Sequence, residues 1–202
     1  APPRMLRLTL PDGAVREVPE GTLPLAVVES IGPRLAKAAI AVVVNGQIQD
    51  LRTPLRTDGE FVVLTEKDPR SLDVLRHSAA HILATAVRRL RPNAQIGFGP
   101  AIEEGFYYDF GVAEPFTPED VAAFEAEMQR VVAEGYPFVR NEVSRNQALH
   151  EFADDPLKLE RIAELGPDEV ISTYTDGPFT DLCRGPHVPD TGYLKHFKLL
   201  NT

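Results

Sequence analysis

The sequence predicts an α+β protein in two parts, a small one over residues 1–65 and a larger one over residues 66–202. Three observations predict it. Short alternating strands and tight-turn dipeptides crowd the first part around a single helix. A charged stretch, "EKDPR" at 66–70, brings in a helix-breaking proline and reads as a linker. The second part mixes helices, two of them opened by capping boxes, with isolated strand patterns.

In "MLRLTL", Leu6, Leu8 and Leu10 fall on one face, the period of a half-buried strand. "PDG" at 11–13 is turn chemistry, and "AVREV" reads as the return strand. "TLPLAVVESIG" reads as a helix capped by Thr22, with Pro24 in its first turn and Gly32 ending it. "AIAVVVNGQIQDL" is a hairpin around Asn45-Gly46, and "DGEFVVLT" adds a strand. Strands wrapped over one helix in so short a stretch make the β-grasp, or ubiquitin-like, plan.

Beyond the linker a helix runs from about Ser71 to Arg91, where Pro92 closes it. "IGFGPAIEEG" is a glycine-rich turn region, and "FYYDF" an aromatic strand with Tyr107 and Tyr108 on opposite faces. Thr117 with Asp120, and Ser144 with Gln147, form capping boxes. "YPFVRNEV" reads as a strand, "DPLKLERIAEL" as a short helix, and "EVISTYTDGPFTDL" as a hairpin turning at Asp176-Gly177.

Composition narrows the class. Of 202 residues 43% are hydrophobic and 25% charged, as in a soluble globular protein. No apolar run approaches the roughly 18 residues of a membrane span, and the N-terminus lacks a signal-peptide core. One cysteine, Cys183, excludes an intrachain disulfide and fits a reducing compartment, so the expectation is a cytoplasmic protein with no membrane partner. The net charge is −9, and the first 65 residues balance seven basic against seven acidic side chains, so the excess lies in the second part. Between Pro92 and Met128 stand eight acids and no Lys or Arg. That surface repels phosphates and argues against autonomous, tight nucleic-acid binding. A nucleic-acid substrate would have to be held from outside this chain.

The chemistry-bearing residues fall in two short stretches. In "RHSAAH", His77 and His81 lie roughly 40° apart on a helical wheel, on a polar face shared with Thr85 and Arg88. Leu72, Leu75, Ala79, Ile82, Leu83, Ala86 and Leu90 take the opposite, core-facing arc. In "DLCRGPH", Cys183 and His187 stand four apart in a turn-like segment beside Asp181 and Arg184, a poor address for a core cysteine. Two such pairs, His77/His81 and Cys183/His187, suit tetrahedral zinc. They suit a metal-free acid/base pocket as well, or two unrelated surface pairs, and the residues alone leave these open. By its neighbours, Lys158 reads as a solvated surface lysine; His150 and His196 have no partner at ligand spacing.

These motifs also carry a resemblance. "LTLPDGAVREV", "IGPRLAKAAIAVVVNG" and "LTEKD" resemble the TGS domain that opens bacterial threonyl-tRNA synthetases. "RHSAAHILATAVRRL", "IGFGPAIEEGFYYDF", "TPEDVAAFEAEM" and "DLCRGPHVPDTGYLKHFKLL" resemble the editing domain that follows it, of the threonyl/alanyl-tRNA synthetase second-additional-domain type. The resemblance implies proofreading: hydrolysis of serine attached in error to the 3′ end of tRNA(Thr). It carries catalytic roles onto His77, His81, Lys158, Asp181, Cys183 and His187, and substrate binding onto Gly99, Tyr108 and Arg184. The related alanyl editing domains resemble zinc proteins, whereas the threonyl branch is expected to need no cofactor. Were zinc bound, its ligands would be His77, His81, Cys183 and His187. The class II catalytic and anticodon-binding domains are expected to be absent, so no aminoacylation is expected. Two rival readings stand beside this one, a free-standing trans-editing factor and a non-catalytic TGS-linked module that binds RNA or a regulator. A zinc-stabilised structural module is a further rival.

Overall fold

The computed structural model describes residues 2–202, which form two compact units. One comprises the chain up to Leu75 together with Gly185–Pro189, and the other Arg76–Arg184 with Asp190–Thr202.

The first unit holds β1 (Met5–Thr9), β2 (Val15–Pro19), α1 (Pro24–Ile31), α2 (Pro33–Ala38), β3 (Ala39–Val44), β4 (Gln47–Gln49) and β5 (Gly59–Thr65). The sheet order is β2-β1-β5-β3-β4, with β1 and β5 parallel and the other pairs antiparallel. Period-2 alternation in β1 buries Leu6 and Leu8 while Met5, Arg7 and Thr9 face out. They pack with Val27 and Val28 of α1 and with Val42, Val44 and Phe61 of the sheet, which is the β-grasp expected. The β3–β4 turn is Asn45-Gly46, with φ of 51° and 82°, the positive pair that a two-residue hairpin of matching twist demands. Two local expectations fail. Thr22 is not the cap of α1: its hydroxyl bonds Pro19 O at 2.6 Å, and Leu23 takes the cap position without a side-chain bond. After Gly32 the chain also starts a second helical turn, α2, because Pro33 suits a first helical position.

The second unit is organised by the part of α3 (Ser71–Leu90) from Arg76 onward, followed by the short strands β6 (Gln95–Ile96), β7 (Ala101–Ile102), β8 (Gly105–Phe106) and β9 (Phe110–Gly111). Then come α4 (Pro118–Glu134), β10 (Val139–Val143), α5 (Arg145–Glu151), α6 (Pro156–Glu164), β11 (Ile171–Asp176), β12 (Phe179–Leu182) and a 3₁₀ turn at Thr191–Tyr193. Strands β10, β11 and β12 form an antiparallel sheet. Both capping boxes form as expected: Asp120 N–H donates to Thr117 Oγ1 at 3.2 Å, and Gln147 N–H to Ser144 Oγ at 3.1 Å. "FYYDF" is not one strand. It breaks into the ends of β8 and β9 with Tyr107–Asp109 between them, because residues 97–98 pair with Asp109 through Gly97 N–H to Asp109 O and Asp109 N–H to Phe98 O.

The helical wheel of α3 is corrected by burial. Every residue from Ser78 to Val87 is buried, so the helix has no solvent face there, and Leu72, placed on the core arc, is exposed. The small side chains of "SAAHILATAV" allow this, since a helix packed on all sides needs small residues where neighbours approach. Among the described residues no helix is long and apolar enough to cross a membrane.

Candidate active site

Asp181 is the penultimate residue of β12, paired with Tyr174 across the hairpin. Its carboxylate is almost fully buried and well supplied with donors. Oδ1 lies 2.8 Å from Lys158 Nζ and accepts from Leu182 N–H at 2.8 Å. Oδ2 accepts from the Tyr108 hydroxyl at 2.7 Å, which leaves that oxygen room for one further donor. Burial, and then the adjacent Asp181 charge, push the Tyr108 phenol well above its ordinary range, so it stays a proton donor.

Lys158 is not a surface side chain; it is 1% exposed. Asp155 caps α6 by accepting from Lys158 N–H at 3.3 Å, and Lys158 then shares the helix's inward face with Ile162, one turn on. Its ammonium donates to Gly97 O at 2.7 Å and lies 4.3 Å from the centre of the Phe98 ring. Gly99 explains how Tyr108 reaches this cluster. A Cβ there would sit 2.1 Å from Tyr108 Cδ2 and 2.7 Å from Tyr107 O, so only glycine lets the two segments close. Tyr107 points elsewhere and is exposed. Asp181 also lines a cleft of about 770 Å³ with Arg88, Asn93, Gln95, Phe152 and Phe179. That volume lies within the range of small-ligand pockets.

Cys183 lies two residues beyond Asp181, a spacing that returns side chains to one face of an extended chain. Its N–H donates to Ser172 O at 3.1 Å, prolonging the β11–β12 ladder, and its Sγ is 3.3 Å from His77 Nε2. Both side chains are half-buried. Arg184 is exposed and pairs with Glu169 at 3.4 Å. His187 is buried, in the 185–189 segment that clusters with the first unit.

His81 departs from its expected setting. The wheel puts it on a polar face, yet it is buried, with Nε2 2.9 Å from Asp176 Oδ1. Its ring meets Phe138 and Phe179 edge-on, each at 5.3 Å between centroids. Thr85, one turn along α3, reaches both oxygens of Asp176, at 3.0 and 2.9 Å. Neither Asp176 nor Thr85 was expected at the site. Asp176 reads as half of a turn dipeptide, but it pairs with Phe179, and the turn residues are Gly177 and Pro178. The usable signal was the His77–His81–Thr85 row at four-residue spacing.

Of the four residues that would hold zinc, His81 stands apart, bonded to Asp176. Among the described residues His81 joins no group of three or more potential ligands whose donor atoms lie within 4.8 Å of one another.

The folds and the buried cluster define a β-grasp domain and an α+β domain that holds a buried polar cluster. Comparison with known families agrees. The TGS domain profile matches residues 6–65, and the profile described as "Threonyl and Alanyl tRNA synthetase second additional domain" matches residues 171–202. The threonine–tRNA ligase of Geobacillus kaustophilus is 51% identical over 201 residues, and that of Geobacillus sp. WCH70 50% over 199. The Syntrophomonas wolfei ligase is 49% identical over 199 residues. Each match takes in 98% of this chain, which spans 31% of the relative's length. The chain is therefore homologous to the N-terminal region of the bacterial threonyl-tRNA synthetases.

Proposed function

We propose that the second unit hydrolyses seryl-tRNA(Thr), removing serine that has been attached in place of threonine. The observation that carries the reading is the placement of two polar pairs at the end of one hairpin. They are Asp181–Lys158, buried and hydrogen-bonded, and His77–Cys183, half-buried and two residues further on. Homology to synthetases that charge tRNA with threonine supports the substrate class.

The need for such a site is energetic. Serine lacks only threonine's methyl, and one methyl in a pocket discriminates by roughly 1–3 kcal/mol, too little for faithful translation. A second site that accepts the smaller ester and excludes the larger one supplies the rest.

In this mechanism water attacks the ester carbonyl at the terminal ribose. His77 holds the water and takes its proton, since a ring nitrogen facing a half-buried thiol is within reach of solvent. Asp181 binds rather than abstracts. Oδ1 already takes Lys158 and a backbone N–H, and the remaining place on Oδ2 suits the seryl ammonium or hydroxyl. Lys158 gives two N–H groups to Gly97 O and Asp181, and its third is the one assigned to the developing oxyanion. Cys183 needs no covalent role, because an activated ester hydrolyses without one. No cofactor is required. The tRNA body is held by parts outside this chain, in keeping with the acidic second part.

The test is deacylation of seryl-tRNA(Thr) by the chain and by His77→Ala and Cys183→Ala. Each variant should slow hydrolysis by about 10²–10⁴, the contribution of a positioned proton-transfer group. Wild-type rates in both would remove these residues from the mechanism.

A further inference from the structure

Asp176 is fully buried, and no step of the proposed hydrolysis uses it. A carboxylate in a dry site persists only when its oxygens are bonded, and both of these are, to His81 Nε2 and to the Thr85 hydroxyl. The two partners sit one turn apart on α3, whereas Asp176 is the last residue of β11. The same histidine ring is gripped by Phe138, just before β10, and by Phe179, the first residue of β12. One side chain of α3 thus reaches β11, β12 and the residue that leads into β10.

That grip has a geometric consequence. His77 lies one turn before His81 on α3, and Cys183 lies one residue beyond β12. Their 3.3 Å contact therefore depends on how α3 is spaced from the β11–β12 hairpin. The Asp176–His81–Thr85 group is a hydrogen-bonded side-chain link between α3 and that hairpin, one helical turn from His77.

We propose that Asp176, Thr85 and His81 form a positioning clamp that fixes α3 against the β11–β12 hairpin and so holds His77 against Cys183. His81 then acts through its neighbours and not on the substrate, a different role from the catalytic one that the resemblance implies. The kinetic half of the test rests on the editing reading; the chemical half does not.

The experiment uses the full chain with Thr85→Val, Asp176→Asn and, as the conservative variant, Thr85→Ser. Thermal melting first checks that each is folded at the assay temperature; Thr85→Val, the milder change, carries the test should Asp176→Asn fail to fold. Cys183 is the only thiol, so its alkylation by iodoacetamide reads the His77–Cys183 contact without substrate. The clamp predicts that T85V and D176N alter the alkylation rate by roughly threefold or more, because thiol reactivity follows its immediate partner. In single-turnover deacylation they should lower kcat about ten- to a hundredfold with KM within about twofold, the effect of a small misplacement. T85S should match wild type in both readouts. Folded T85V and D176N with wild-type alkylation and kcat would overturn the clamp, as would T85S as impaired as T85V. Should wild type fail to deacylate at all, the editing reading falls, and alkylation alone still decides the clamp.

Discussion

The first unit closes its core with Leu6, Leu8, Val28, Val42, Phe61 and Leu64, while the second buries Lys158, Asp176 and Asp181 among its apolar side chains. In the first unit burial follows sequence pattern, with β1 alternating and β3 apolar and buried throughout, and Asp50 is among its few buried polar side chains. In the second it follows pairing: each buried charge has a partner within 3 Å. Burying a charge costs several kcal/mol unless geometry and hydrogen bonds offset it, so such groups mark a place where something other than stability was selected. The contrast supports the proposed chemistry in the second unit.

Substitutions can break or sharpen that contrast. The largest effect is expected from Lys158→Met, which strands the Asp181 carboxylate. Deacylation should fall by about 10³ or more, and unfolding free energy by about 3–5 kcal/mol, the cost of breaking a buried pair from one side. A chemical-denaturation curve beside the rate measurement checks both. His77→Ala and Cys183→Ala, by contrast, should lose the rate and leave the melting curve nearly unchanged, because both side chains are half-exposed.

Tyr108→Phe should cost less, about tenfold in rate, since one donor to Asp181 is lost while two remain. Its pH dependence carries a sign. The folded-state phenol is raised above its ordinary value of 10.0, so its stabilising contribution is fully present below pH 10 and is lost only as pH climbs through the folded value. Wild type and Y108F should therefore differ by a constant stability from pH 6 to 9, with the gap narrowing above 10. The smallest effect belongs to the first unit. Asn45→Ala, at a φ of 51°, should cost about 1–2 kcal/mol and leave the deacylation rate alone. A lower rate in that variant would blur the division of labour.

Much of the fold was legible in the residues, for reasons visible at particular positions. Asn45-Gly46 and the two capping boxes are local devices, complete within a few residues, and formed where expected, whereas the Ile171–Leu182 hairpin formed with its turn one residue later, at Gly177-Pro178. The site was legible in part. His77 with Cys183, and Asp181 with Tyr108, lay in motifs that the resemblance singled out. Lys158 was misread from its acidic neighbours, although its four-residue spacing from Ile162 puts it on the buried face of α6. His81, Thr85 and Asp176 were missed as a group because their meeting depends on tertiary packing across about ninety residues of chain. A wheel assigns faces relative to one side of a helix, and it fails when packing surrounds the helix, as it does from Ser78 to Val87.

The most direct test of the central claim compares two substrates under single-turnover conditions, seryl-tRNA(Thr) and threonyl-tRNA(Thr), with the same preparation of this chain. The account predicts hydrolysis of the seryl ester at least about tenfold faster than that of the threonyl ester, the discrimination one methyl commands. Equal rates on both esters, or no hydrolysis of either above the uncatalysed background, would contradict it.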